Sequence, residues 1–322
     1  MVAAMPSIIV MIPTLNEADH IAAVLAQLHE DAAHQLIVAD GGSTDGTQQI
    51  VTGFAATNPN VRLVHNEGRT QAAAMNMLLH SSFAADIIIR ADAHASYPDG
   101  FVRDLAASLD AHDAASVVIP MDAVAGPGCF QKGNAWIADS VLGAGGSAHR
   151  GGTRSGYIEH GHHAAFTMDS FRNIGGYDTS FKANEDAEYD QRLTQFGGRI
   201  WLDADIRIDY FPRAYASSLF KQYFGYGVGR ARFCHKHSVR PKLRQLIPLI
   251  HVGLLALSIL LLPFTALGWL WPVIYLTVIT YAGIASAIKN HSLCGLMGTV
   301  ALAIMHTAWG VGYLVTTTKL AR

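Results

Sequence analysis

Four carboxylates fall within six positions of the stretch KANEDAEYDQRL (182–193): Glu185, Asp186, Glu188 and Asp190. Acids in a first helical turn are ordinarily worth only about 0.3–1 kcal/mol each, so such density raises the question of a catalytic base. A carboxylate here can take the proton of an attacking hydroxyl within hydrogen-bond reach. The bland alternative is a solvated acidic face. Asn184 is positioned to cap the helix, which puts Glu185 and Asp186 in its first turn. Tyr189, Leu193 and Phe196 recur at i, i+4 and i+7 as its apolar face. Glu188 and Asp190 then serve helix-end charge or pairing with Arg192.

Two other stretches carry acids at strand tips. RADAH places Asp92 and His94 just past an apolar run. Residues two apart in an extended segment point the same way, so both can face one cation. A divalent ion bridging a diphosphate needs few protein ligands, since phosphate and water oxygens complete its shell. A capped turn explains the spacing equally. ADGGSTDGT (39–47) sets Asp40 at a strand tip, Gly41 and Gly42 in a tight turn and Asp45 as cap of a helix near Thr47. It contains neither G-x-G-x-x-G nor a Gly-Lys-Ser/Thr, which excludes a dinucleotide fingerprint and a P-loop. EHGHH (159–163) clusters three histidines beside Glu159. A zinc site is one reading of it.

Something must hold these residues together. SIIVMI (7–12), LIVA (36–39), VRLVH (61–65), DIIIR (86–90) and SVVIP (116–120) read as strands. Helices are expected at about 17–29 and 70–81. Continuous apolar strands alternating with helices predict a mostly parallel sheet covered on both faces. Ligands of such sheets bind beyond the C-terminal ends of the strands. The segments found there, PTLNE, DGGSTDGT, NEGRTQ and ADAHASYP, are all polar. Residues 125–156 are glycine-rich and are expected to form a functional loop without regular elements.

Composition divides the 322 residues in three. Half are hydrophobic and 15% charged, against about 25% in ordinary soluble domains. Residues 1–206 hold 11 basic and 24 acidic residues; 207–244 hold nine Lys/Arg against one Asp; beyond Arg244 there is no acid. Leu246–Leu267, Trp269–Ile288 and Leu293–Thr316 contain no charged residue, and each approaches the ~20 residues that span a bilayer. The prolines within them are tolerated in membrane helices. The expected division is 1–212 as an α/β domain, 213–244 as a basic amphipathic interface segment and 245–322 as about three transmembrane helices. The basic collar places the first domain in the cytoplasm. It interleaves aromatics with Lys and Arg, which suits an anionic membrane lipid surface rather than nucleic acid. An odd number of spans sets Lys319 and Arg322 outside; a re-entrant first pair removes that conflict. SIIVMIPTL is too short for a secretory signal. Cys129, Cys234 and Cys294 form no motif, as in a reducing compartment.

IPTLNE, DGGSTDGT, the D-x-H after the fourth strand and NEDAEYDQRL occur in the order seen in family 2 glycosyltransferases, which residues 7–210 resemble. GAGGSAHR and SLFKQYFGYGVGRAR are similar to stretches of bacterial exopolysaccharide transferases in that family. The resemblance implies a GT-A fold and inverting transfer of a sugar from a nucleotide diphosphate. It implies that Pro13, Thr14 and Glu17 lie against uridine, that Asp40 accepts from uracil, and that Arg69 sits near the nucleotide. Asp92 and His94 would hold Mg²⁺ or Mn²⁺, with His94 where many relatives carry Asp. Asp186, beside Glu185, would be the general base, and His163 would line the acceptor site. Arg230 would approach a diphosphate or contact phospholipid. Q-x-x-R-W of processive synthases is absent after Gln222, which favours single transfers. The implied partners are a UDP-sugar, UDP-glucose first, and a polyprenyl-diphosphate-linked saccharide in the plasma membrane. A polyprenyl-phosphate sugar synthase and a non-catalytic nucleotide-sugar sensor are the alternatives.

Overall fold

The computed structural model describes residues 6–29, 34–80, 82–147 and 150–320, apart from the side chain of His163. The expectations touching Ser81, His149, Arg322 and the His163 side chain lie outside the described residues. In chain order the elements are β1 (Ile8–Thr14), α1 (Ile21–His29), β2 (Gln35–Asp40), α2 (Thr47–Thr57), β3 (Val61–His65), α3 (Gln71–Asn76) and β4 (Ile87–Arg90). Next come β5 (Ala95–Ser96), α4 (Phe101–Ala111), β6 (Ser116–Ile119), β7 (Met121–Ala123), α5 (Cys129–Ala138) and α6 (Val141–Ala144). Then follow β8 (Gly156–Ile158), β9 (His162–Thr167), α7 (Met168–Ile174), α8 (Glu185–Gln195), β10 (Ile200–Leu202) and β11 (Ile208–Tyr210). The chain closes with α9 (Ala216–Lys236), α10 (Leu243–Leu261), α11 (Leu270–Lys289) and α12 (Met297–Leu320).

Two compact units result: residues 1–122 with 148–210, and residues 123–147 with 211–322. The first is an α/β unit. Its eight-stranded sheet runs β3-β2-β1-β4-β9-β6-β10-β8, and β5-β11-β7 form a small second sheet. β1 pairs in parallel with both β2 and β4, and β2 with β3, while β9 is antiparallel to β4 and β6. The register sets Thr14 opposite Asp40 and Asp40 opposite His65. Three strands therefore release their following loops at one edge of the sheet. Val10, Ile12, Leu36, Val38 and Ile89 fill the core on one face; Ile9, Met11, Ile37, Ile88 and Phe166 fill it on the other. Both faces being covered explains the unbroken apolar runs.

The second unit is helical. α10, Ala266–Lys289 and Leu293–Leu320 are long and apolar enough to cross a membrane. The stretch expected to lack regular elements instead contains α5 and α6. Its glycines act as packing surface there, not as breakers. A Cβ on Gly133 would come within 2.5 Å of the Cys294 carbonyl and 2.7 Å of the Gly298 nitrogen, so only glycine lets α5 approach α12 this closely. The expectation of unpaired cysteines is also corrected. Cys129 and Cys294 form a disulfide across 165 residues, and Cys234 is the free, buried cysteine. Their pairing follows from the α5–α12 contact, which no local spacing announces.

Two details of α8 differ from expectation. Asn184 occupies the N-cap in the left-handed conformation, φ 62°, without a capping hydrogen bond from its side chain. Such a conformation suits Asn, and it turns the chain sharply into the helix. Phe196 lies past the last turn and is exposed, because Gly197 at φ 91° ends the helix and swings it outward. Tyr189 and Leu193 are buried as expected.

Candidate active site

The loops after β1 and β2 are tied together by hydrogen bonds. Asn16 N donates to Ser43 Oγ (2.8 Å) and Thr44 N to Asn16 Oδ1 (2.9 Å). Glu17 N donates to Thr47 Oγ1 (2.9 Å) and Ala18 N to Asp45 Oδ2 (3.0 Å). Asp45 Oδ1 also accepts from Thr47 N, although the N-cap position of α2 itself falls to Gly46 and not to Asp45 as expected. Asp40 is the hub of the second loop. Its Oδ2 accepts from Gly42 N, Ser43 N and Gln48 Nε2 at 2.9, 3.0 and 2.7 Å, and its Oδ1 accepts from Ser43 Oγ. Burial alone would raise its pKa, but those bonds outweigh it and hold the carboxyl below its ordinary range. Asp40 is therefore an ionised organiser of the loop, with Oδ1 capacity left for a further donor. Arg69, at φ 53°, brings its Cα within 3.3 Å of where a Cβ on Gly41 would stand. Pro13, Thr14, Asp40 and Arg69 thus share one strand-end platform.

Arg90 closes the opposite side. It ends β4, is 5% exposed, and donates from Nη1 to Asp186 Oδ1 at 2.7 Å. Its Nε lies 3.3 Å from Asp92 Oδ1, and it hydrogen-bonds the Tyr177 side chain. Burial works against its charge, yet Asp186 and Asp92 outweigh that and push its pKa up. Asp92 takes a second contact from Gln71 Nε2 at 3.3 Å, and its Oδ2 stands 3.6 Å from His162 Nε2. Burial raises the Asp92 pKa, but Arg90, His162 and His94 together hold it low. His94 is more exposed and turns Nδ1 to Glu17 Oε1 at 3.2 Å. Burial, then the Arg90 charge, lowers the His162 pKa to about 4, which keeps its imidazole neutral. Among the described residues no three His, Cys, Asp or Glu side chains converge on one metal position. Asp92 Oδ2 with a neutral imidazole is nevertheless a donor pair that suits a divalent ion held mainly by phosphate oxygens.

The four carboxylates of α8 have separate fates. Glu188, wholly buried, binds Arg192 through both oxygens, and Arg192 also donates to the carbonyls of Ile174 (2.6 Å) and Gly176 (2.7 Å). Asp190 receives His160 Nδ1 at 2.7 Å. These two anchor α8 to α7 and to the approach of β9. Phe166, Phe171, Tyr177 and Tyr189 pack ring against ring beneath them, with centroids 5.3–6.2 Å apart. Only Glu185 and Asp186 are left at the site. Burial, then the Asp186 charge, raises the Glu185 pKa to about 7, with Arg90 offsetting part of the rise.

The sequence pattern described as glycosyl transferase family 2 matches residues 9–175. The chain is also 40% identical over 314 residues to the succinoglycan biosynthesis protein ExoA of Rhizobium meliloti, covering 95% of this chain and 94% of that one. This chain is a member of glycosyltransferase family 2. A shorter match, 32% over 90 residues, links it to the glycosyltransferase AglE of Haloferax volcanii, covering 26% and 30% of the two chains. Among solved structures, the mannosyltransferase PcManGT from Pyrobaculum calidifontis, in complex with GDP-Man and Mn²⁺, is similar with a TM-score of 0.60 at 20% identity. That similarity covers 97% of this chain and 88% of PcManGT, and it shows a GT-A-like fold.

In this glycosyltransferase the structure joins Asp92 to Asp186 through Arg90, and Glu17 to His94. Arg230 belongs to the helical unit, its guanidinium 4.8 Å over the Phe233 ring. Sequence reasoning passed over Arg90, Gln71 and Tyr177, and it took His162 only as one of the EHGHH cluster, not as a neighbour of Asp92. Arg90 did leave a signal: a charge closing an apolar strand is buried, and a buried charge requires partners.

Proposed function

We propose that the chain is an inverting hexosyltransferase that moves a sugar, glucose first, from a UDP-sugar to a polyprenyl-diphosphate-linked saccharide in exopolysaccharide biosynthesis. It acts at the plasma membrane with its α/β unit in the cytoplasm. The carrying observation is the single buried Arg90 that ties Asp92, at the strand edge where a diphosphate belongs, to Asp186 on α8. In this reading Pro13, Thr14, Glu17 and Arg69 seat the uridine, and Asp40 accepts from uracil. Asp92 and His94, with His162 in reach, would hold Mg²⁺ or Mn²⁺, which when bound neutralises charge on the leaving diphosphate. Asp186 takes the proton of the acceptor hydroxyl as its oxygen bonds the anomeric carbon. The bond from that carbon to the diphosphate breaks on the opposite face, so the configuration inverts. Glu185 sets the charge around Asp186, His163 lines the acceptor side, and Arg230 meets phosphate at the membrane.

Donor binding tests this. The purified chain with Mn²⁺ and a panel of UDP- and GDP-sugars should gain thermal stability with UDP-hexoses. Stabilisation by GDP-sugars alone would contradict the donor, and none from any sugar would contradict the enzyme reading.

A further inference from the structure

His160 and His162 of EHGHH have separate partners. His160 turns Nδ1 to the buried Asp190 Oδ2 at 2.7 Å, and the Gly161 nitrogen lies 3.4 Å from the same oxygen. Gly161 is packed so closely that a Cβ there would meet Val118 Cγ2 at 2.6 Å. These contacts fix the chain just before β9. The strand then carries a bulge: Val117 pairs with Ala165, but Val118 pairs with His163. One extra residue turns His162 to the side opposite the one that regular alternation would give it. The neighbouring strand decides what it meets there. β4 is antiparallel to β9, with Ile89 opposite Ala165. Onward along β4 and back along β9, the chain brings Asp92 beside His162.

Asp92 is oriented by the groups around it. Its Oδ1 faces Arg90 Nε and Gln71 Nε2, each at 3.3 Å, which sets the plane of the carboxylate. Tyr97 OH donates to the Asp92 carbonyl at 2.9 Å and holds the backbone. The other oxygen, Oδ2, faces His162 Nε2 at 3.6 Å. That gap exceeds the ~3.2 Å of an ordinary hydrogen bond. Two ligands each about 2.1 Å from one ion, however, stand up to about 4.2 Å apart. The two side chains keep 13% and 19% of their surface exposed, so a solvated ion can reach them. The nearest fixed positive charge, Arg90, is already opposed by Asp186 at 2.7 Å. His94, two residues beyond Asp92, is about half exposed and turns Nδ1 towards Glu17.

We propose that His162 is itself a ligand of the divalent ion, sharing it with Asp92 Oδ2, so that the ion ties the loop after β4 to the start of β9. A carboxylate and an imidazole from two elements then hold the ion, and phosphate and water oxygens complete its shell. Arg90 and Gln71, on the far oxygen of Asp92, are the outer partners that aim the carboxylate. An imidazole ligand tilts the site away from Mg²⁺, which takes oxygen ligands. This role for His162 rests on the nucleotide-sugar reading proposed above and adds to it a ligand from outside the D-x-H stretch.

The experiment uses the full chain in detergent, with Mn²⁺ and UDP as probes, and reads the ion directly through the electron spin-echo modulation that a bound imidazole nitrogen imposes on Mn²⁺. The expected result is nitrogen modulation in the wild type that persists in His94→Ala and disappears in the double variant His94→Ala with His162→Ala. Mn²⁺ affinity in the presence of UDP should fall at least about tenfold in His162→Ala, since loss of an outer partner alone costs about 10–100-fold. His162→Gln, which keeps the bulk of the side chain, serves where His162→Ala fails to fold. Bound Mn²⁺ without nitrogen modulation in the wild type, modulation lost in His94→Ala alone, modulation kept in the double variant, or an unchanged Mn²⁺ affinity in His162→Ala would each overturn the role of His162 and leave the nucleotide-sugar reading standing. Failure of the wild type to bind Mn²⁺ and UDP at all would overturn both.

Discussion

Arg90 and Asp186 stand 96 residues apart in the chain and 2.7 Å apart in the fold. The guanidinium that holds Asp186 also touches Asp92, so the two acids expected to handle donor and acceptor share one anchor. An arginine offers several donors in a fixed fork, which a lysine does not.

Replacing that anchor should separate fold from chemistry. Arg90→Met leaves Asp186 and Asp92 without their common cation, and breaking such a buried pair costs about 3–5 kcal/mol. Arg90→Lys keeps the charge and most of the fold but reaches one carboxylate instead of two. The expected outcome is a Tm near wild type for Arg90→Lys with kcat down at least about tenfold, the equivalent of 1.4 kcal/mol, and KM for the donor little changed. Thermal melts and initial rates on the same preparations check it.

Glu185 gives a pH signature. Its folded pKa of about 7 lies above the ordinary carboxyl value of 4.5, so the fold holds a proton that the unfolded chain releases. Stability then falls as pH rises from about 4.5 to about 7 and levels off above. Glu185→Gln should flatten Tm over that window. It should also move the acidic limb of the pH–rate profile downward, because the like charge beside Asp186 is gone. An unchanged Tm slope would remove Glu185 as the titrating group.

The inner acids of α8 should behave differently. Glu188→Ala strands Arg192 beside the carbonyls of Ile174 and Gly176 and should lower stability by about 3–5 kcal/mol. Activity per folded molecule should stay close to wild type, since Glu188 faces away from the site. Urea unfolding together with active-site titration separates the two.

The Cys129–Cys294 bond bears on sidedness. The cytoplasm keeps thiols reduced, so with the α5 region facing it the pair should be reduced in cells quenched with acid and alkylated at once. The pair should be bonded after purification in air. Mass-tagging with a maleimide polymer counts the thiols in both cases. A bonded pair in freshly quenched cells contradicts the cytoplasmic orientation.

The parallel strands were legible because a sheet covered on both faces leaves unbroken apolar runs, each followed by a polar loop. The sharing of work among the α8 acids was legible only in part. Arg192 lies one helical turn from Glu188 and could be paired on spacing, but His160, the partner of Asp190, lies 30 residues away. α5 and α6 were hidden because glycines that allow close helix packing look like breakers in a linear string. The Arg90 bridge was hidden because Asp186, on α8, lies 96 residues from Arg90 and only the tertiary fold brings the two together.

The central claim is that Asp186 removes the proton from an acceptor hydroxyl. Asp186→Asn keeps the size of the side chain and its contact with Arg90 while removing the base. Membranes bearing this variant, given radiolabelled UDP-glucose and Mn²⁺, should transfer label to extractable lipid at least about a hundredfold more slowly than wild type, within the usual contribution of a general base. The donor should still raise Tm. Transfer at the wild-type rate would contradict the account.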